Sequence, residues 1–490
     1  MRLHPILPVL LLPGLLAAQT GRRPVPDPLD GVWTGTAGAA PDLVPIVFRF
    51  AHDSAGALTL NASWFAYYDT EVPGPIVRRG DTITTAALGI SLRRTGDSLT
   101  GVMFSNQLPV RLRRGGTVPG ETSVPRFGAA PDPLWRTKLG GAIYGPAALR
   151  DGVVYVGTTA GYVDAVALAD GSFRWAAPLG SAVYGGVLST ADALYVAADA
   201  GWLFRLDPAT GHEVWRYDLG GARAPRIGVH LVIENSGEFD WDVMGPTPVL
   251  AGGVLYVGSG DGALHAVRAA DGTRVWVSAA GAAPVRGDAA VDADRVYFGD
   301  RAGILHAVRR ADGVEVWRRD LRSALVNGVA LIDGTVIAGS RYGYFGGFDP
   351  ISGEPRWRSP MWGSAQESMA APAGAGRFVV GSSDLRRVSL MDAQDGTARW
   401  RTDVYGWPWA RPTVAGDRVY MGVVGTDPYE IRHLGSLTVM ELATGRIRWR
   451  WEMPAWPGAI ISGFNAPPTV GEGHIVVGGV DGTLYAFPDR

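Results

Sequence analysis

Eight residues of this chain join polar or aromatic character to comparable places in a repeating sequence: Arg286, Asp288, Asn327, Glu367, Trp407, Trp409, Arg411 and Asn465. Guanidinium, carboxylate and amide groups converging on one point can orient a small polar ligand, and flat indole rings can stack on a conjugated one. They make a candidate binding funnel, and some polar groups are expected wherever inner strands face a water-filled channel. A second set is acidic. Glu238, Asp240 and Asp242 alternate in the stretch 227–244, with Glu234 and Asn235 nearby. Calcium takes six to eight oxygen ligands and this stretch supplies several; a solvated acidic loop has the same composition.

Other chemistries fall away. The chain has no cysteine, which excludes disulfides, thiolate metal sites, a thiol nucleophile and a lipidated N-terminal cysteine. His265 and His306 occupy the same place in successive Leu-His-Ala-Val segments and read as part of a repeat. The remaining histidines lack ligand spacing. No Ser-His-Asp order, phosphate-cradling glycine loop or HExxH helix is present, so hydrolase and nucleotide-binding readings have no support. A formal charge of −2 without blocks of like charge recommends neither nucleic acid nor an anionic membrane as partner.

The elements that must position these residues are strands. Val254 to Trp276 reads VLYVGSGDGALHAVRAADGTRVW. Alternating apolar runs are broken at Asp261-Gly262 and Asp271-Gly272, the strongest short-range hairpin signal. The same unit begins at Val153, Leu194, Val254, Val296, Val336, Phe378, Val419 and Ile475. Seven copies run on to Trp175, Trp215, Trp276, Trp317, Trp357, Trp400 and Trp449. The last ends before its tryptophan strand, and a matching strand lies ahead of the first copy, at Leu134 to Leu139 around Trp135.

Eight strand pairs and eight tryptophan strands, offset by one, predict a closed ring. The fold expected is all-β, an eight-bladed β-propeller over 133–490 closed by an N-terminal strand. Each buried tryptophan removes about 150–250 Å² from water, roughly 4–6 kcal/mol as an upper estimate, so these rings are read as structural clamps. The innermost strand of each blade is expected just before each apolar pair, where the candidate residues lie. Two insertions depart from the repeat, one between Gly221 and Gly245 and a smaller one from Gly425 to Leu434. The first could cap the funnel or bind a partner.

Ahead of the ring, Arg2, the apolar run Ile6 to Leu16 and the small pair Ala17-Ala18 read as a signal peptide over 1–18, implying a periplasmic or secreted protein. No stretch is suited to span a bilayer. Residues 31–115 form a separate β-rich module and 116–132 a Gly/Pro/Ser-rich linker. The module's Gly-x-Trp-x-Gly opening (Gly31 to Gly35), Ser98 to Gly101 and the closing Leu108 to Leu112 resemble small lipocalin-like β-barrel domains. Such a barrel could hold a small apolar ligand against Trp64, Phe65, Tyr67 and Tyr68, or be filled and serve as a spacer.

The repeat itself is similar to the pyrroloquinoline-quinone (PQQ) repeat family, on Ala266…Asp271-Gly272…Trp276 and Ala307…Asp312-Gly313…Trp317. That family contains both cofactor-free scaffolds and quinoprotein dehydrogenases. The resemblance therefore implies one of two functions. The first is a non-catalytic exported propeller, with no cofactor, that binds a protein, peptide or envelope component through rim and funnel. The second is a dehydrogenase of alcohols or sugars using PQQ and calcium, for which Asp288, Glu367, Asn327 and Asn465 are the nearest candidate acid and ligand residues. The adjacent-cysteine disulfide that family alcohol dehydrogenases place against the quinone is absent here.

Overall fold

A computed structural model describes residues 27–38, 43–64, 67–103, 108–116, 125–220, 226, 243–278, 283–341, 344–359, 368–383, 385–426, 431, 433–454 and 461–489. All regular structure in it is β. From Trp135 onward the strands form eight antiparallel sheets of the propeller type, each built as a meander. In the first blade the strands Ala148–Arg150, Val153–Gly157, Tyr162–Ala167 and Phe173–Pro178 pair in sequence order. The eighth blade is completed by Trp135–Lys138, which pairs antiparallel with Thr483–Pro488 and sets Trp135 opposite Ala486. The ring closes as the offset in the repeat count predicts.

The middle two strands of each blade are buried on both faces, which is why Val153–Gly157 and its equivalents are continuous apolar runs. The tryptophans bridge blades. Trp276 Nε1 donates to Arg310 O at 2.9 Å and Trp357 Nε1 to Ala393 O at 2.8 Å, each acceptor lying in the following blade. A tyrosine of the same blade tilts against the ring in four of these units, for example Tyr256 on Trp276.

First strands of neighbouring blades touch one another and so surround the axis. They are Ala148–Arg150, Leu188–Ser189, Val249–Ala251, Ala290–Val291 and their counterparts. This corrects the sequence expectation by a few residues. The candidate positions precede the inner strands and sit in the loops that enter them. The reason is a short inner strand of two or three residues, with the chain crossing from the previous blade just before it.

The N-terminal module is a nine-stranded antiparallel sheet, curled about one apolar face. Its edges are Tyr67–Glu71 and Val77–Arg79, and no ladder joins these two among the described residues, so it is a half-barrel where the sequence suggested a barrel. Trp33, Phe48, Phe50, Leu60 and Leu99 fill its concave side. Trp64 is buried with them, whereas Phe65 and the side chains of Tyr67 and Tyr68 lie outside the described residues. Ile431, from the smaller propeller insertion, belongs to this same core and is wholly buried. Leu385 packs beside it, and Arg387 Nη2 donates to Leu43 O at 2.8 Å. The half-barrel is thus docked on blades six and seven.

Candidate functional site

Strand direction alternates through a blade. The turns between second and third strands, and the loops from an outer strand to the next inner one, therefore share one face of the ring. All described candidate residues lie there. Arg286, Trp409 and Asn465 stand four residues before their inner strands, the place held by Tyr144 and Tyr184 in the first two blades. Asp288 and Arg411 stand two residues before theirs. A tight throat holds these loops together. A Cβ on Gly185 would fall 2.3 Å from Pro246 O, and one on Gly287 would fall 2.3 Å from Asn327 O, so only glycine lets neighbouring loops approach. The glycines that accompany the variable positions are explained by this crowding.

Three groupings emerge. In the first, Asp199 Oδ1 accepts from Arg226 Nε at 2.7 Å and from Arg286 Nη1 at 3.1 Å. Arg226 also donates to Met244 O at 2.7 Å, and its guanidinium lies 3.8 Å from the centroid of the Tyr184 ring. Tyr184 in turn stacks on Tyr144 at 5.8 Å; burial, with Tyr184 beside it, pushes the Tyr144 phenol up to about 12. The cleft above this grouping encloses about 30 Å³, room for water but far below the roughly 300 Å³ at which small-ligand pockets begin.

In the second grouping, Asp288 Oδ1 accepts the Thr247 N–H at 2.7 Å. Desolvation raises the Asp288 pKa above the usual carboxylate value; the Thr247 N–H and the positive charge of Arg411 oppose that rise without cancelling it. Arg411, three blades further on, is exposed. Asn327 uses its amide oxygen on the N–H of Gly328 at 2.9 Å.

The third grouping is aromatic. Trp407 and Trp409 stack at 5.0 Å with 9° between planes, His433 lies 4.7 Å from Trp407, and Trp409 Nε1 donates to Ser383 Oγ at 3.0 Å. Both indoles are buried. Asn465, also buried, has neither its amide nitrogen nor its amide oxygen hydrogen-bonded among the described residues.

Arg286, Asp288 and the two tryptophans, named from the sequence, lie in these groupings together with Asp199, Arg226, Ser383 and His433, which were not named there as candidates. Asp199 sits in an ordinary turn of blade two, and nothing local marks it. Glu367 and the acidic trio Glu238, Asp240 and Asp242 lie outside the described residues. Among the described residues no three histidine, aspartate or glutamate side chains gather as metal ligands. Of the residues that would hold a quinone and calcium, Asp288 and Asn327 already accept the N–H groups of Thr247 and Gly328, and the Trp407 and Trp409 rings are stacked on each other.

The family described as outer membrane protein assembly factor BamB matches residues 123–234, 159–346 and 341–452. No curated protein matches the sequence. Among solved structures, the europium-containing methanol dehydrogenase is 13% identical, with 73% of this chain and 93% of that one covered and a TM-score of 0.55. The computationally designed Ika8 protein is 15% identical, covering 73% and 99%, with a TM-score of 0.56. BamB from Moraxella catarrhalis is 19% identical, covering 71% and 90%, with a TM-score of 0.48. At such identities the likeness is one of fold.

Proposed function

We propose, from the premise that this chain belongs to the PQQ-like repeat family described as outer membrane protein assembly factor BamB, that it is an exported, non-catalytic propeller of the cell envelope that binds a protein partner through its loop face. One observation carries this reading. Asp199 is held by Arg226 and Arg286, and Asp288 by the Thr247 N–H, on the same loop face as an exposed Arg411. A loop face with an exposed cation suits recognition, and the cleft of about 30 Å³ beside Asp199 and Arg286 does not hold an organic substrate. Export rests on the composition of residues 1–18.

The chain contains no cysteine, so Arg411→Cys places one photo-crosslinker on the loop face. Asp395→Cys places it in a turn on the opposite face. With envelope extract from the source organism, a discrete adduct at the first position and none at the second is expected. Equal labelling at both overturns loop-face binding. A parallel sample receives PQQ and Ca²⁺. Quinone absorbance that survives desalting, with dye-linked oxidation of alcohols or sugars, would replace this reading by the dehydrogenase one.

A further inference from the structure

The outermost strands of blades six and seven, Ala398–Asp403 and Ile447–Glu452, belong to the joint where Gly445 abuts the Trp400 ring. Thr402 Oγ1 donates to Gly445 O there at 2.7 Å. The inter-domain linker lies against this joint. Gly128 bridges to Trp449, a Cβ on it would fall 2.4 Å from Arg448 O, and the Phe127 ring lies 5.8 Å from that of Tyr405. Linker and blades leave between them a groove of about 630 Å³. That falls within the roughly 300–1,000 Å³ of small-molecule sites, unlike the cleft of about 30 Å³ beside Asp199.

The groove is cationic. Arg126 from the linker, Arg401 from blade six, and Arg446 and Arg448 from blade seven all line it. Asp403 lines it too, but its carboxylate is held by Arg386 at 2.6 and 3.1 Å. Arg386 and Arg450 stand behind this wall, 5.4 and 5.7 Å from the centroid of the Tyr405 ring. Burial lowers the pKa of Arg450 to about 10, which leaves it charged at neutral pH. Arg446 is paired with Glu441, Arg448 with Asp417 at 2.7 Å and Arg450 with Glu452 at 3.2 Å. Six guanidiniums thus stand against four carboxylates around the groove. Arg126 is exposed and has no hydrogen-bond or ion-pair partner among the described residues. A guanidinium carries five N–H donors, so Arg446 and Arg448 keep donors beyond those given to Glu441 and Asp417.

The arginine at 446 also breaks the repeat. The residue after the turn glycine is Ser172, His212, Thr273, Val314, Glu354 and Thr397 in blades one to six, and a cation only in blade seven. The linker brings a second arginine to that same joint.

We propose that this groove binds an organic phosphate monoester, with the phosphate held by Arg126 and Arg446 and the organic part against Phe127 and Tyr405. Arginines entering from the linker and from two blades can each donate to a different oxygen of a tetrahedral dianion, whereas a planar carboxylate offers two oxygens to one fork. The groove lies at outer strands, away from the axis, so the site stands or falls independently of partner binding at the loop face. Soluble esters and lipid headgroups both carry the group it would recognise.

Isothermal titration calorimetry of the full chain with phenyl phosphate tests the site. Saturable binding is expected, weakened about tenfold by Arg126→Ala and likewise by Arg446→Ala. Arg399→Ala, on the same blade-six strand but outside the groove, should leave it unchanged. Benzoate should bind more weakly and phenol not at all. Arg126 and Arg446 are exposed, so both variants keep the wild-type melting temperature. Flotation with phosphatidate-bearing vesicles separates the two sources of phosphate. Co-flotation that Arg126→Ala abolishes assigns the site to a lipid headgroup; phenyl phosphate binding without flotation assigns it to a soluble ester. No saturable binding up to millimolar phenyl phosphate, equal binding of phenol, or indifference to both alanine variants overturns the site.

Discussion

Gly313 lies flat against the indole of Trp276, so closely that a Cβ on the glycine would fall 2.6 Å from Cε3 of the ring. The glycine turns blade four with φ +74° and the tryptophan ends blade three, so one contact serves both turn and clamp. Gly272 on Trp215 and Gly353 on Trp317 repeat it. The Asp-Gly turn and the tryptophan are therefore two halves of one inter-blade joint.

Gly313→Ala should destabilise by about 2–4 kcal/mol, adding a clash with a rigid ring to left-handed backbone strain. Gly334 has φ +71° and open space around it, so Gly334→Ala should show only the strain, about 1 kcal/mol. Thermal unfolding of the two variants side by side measures the clamp. Equal losses would mean that the ring gives way.

Trp276→Phe removes the bond from Nε1 to Arg310 O as well as ring area. Trp215 Nε1 is buried without an acceptor among the described residues, so Trp215→Phe loses area and relieves an unmet donor. Trp276→Phe is expected to be the more damaging by about 1–2 kcal/mol in denaturant unfolding.

Asp164 gives a pH dependence. It is 6% exposed, its Oδ2 has no hydrogen-bond partner among the described residues, and burial raises its pKa to about 6. A folded-state carboxyl pKa above the unfolded value means that the native state binds the proton more tightly. This contribution is complete below about pH 4 and is lost as pH rises towards 6. Asp164→Asn should match the wild type at pH 4 and exceed it by about 1–3 kcal/mol at pH 8. A constant difference across pH would assign the effect to shape.

Ile431→Asp would bury a charge inside the half-barrel core. The expected result is loss of amide-exchange protection in strands Gly31–Ala37 and Val44–His52, with blades one to four unchanged. Retained protection in those strands would show that the half-barrel holds itself together without the propeller.

The fold class, the blade number and the ring closure are determined by the sequence alone. Each rests on short-range periodicity: alternation, Asp-Gly turns, and a tryptophan strand missing at one end and present at the other. The clamp role of the tryptophans follows from the same repetition. The half-barrel was legible as strands but not as an open sheet, because closure depends on how two distant edge strands meet. Residues 199, 226 and 286 come together only because a ring brings loops from successive blades to one face; no spacing in the chain encodes that meeting. Ile431 in a core built from residues more than three hundred positions earlier, and Gly128 on Trp449, are likewise decided by packing. Local patterns specify the blade, since its hydrogen bonds join neighbours in sequence; the surface between blades and modules belongs to the tertiary structure, since its contacts do not.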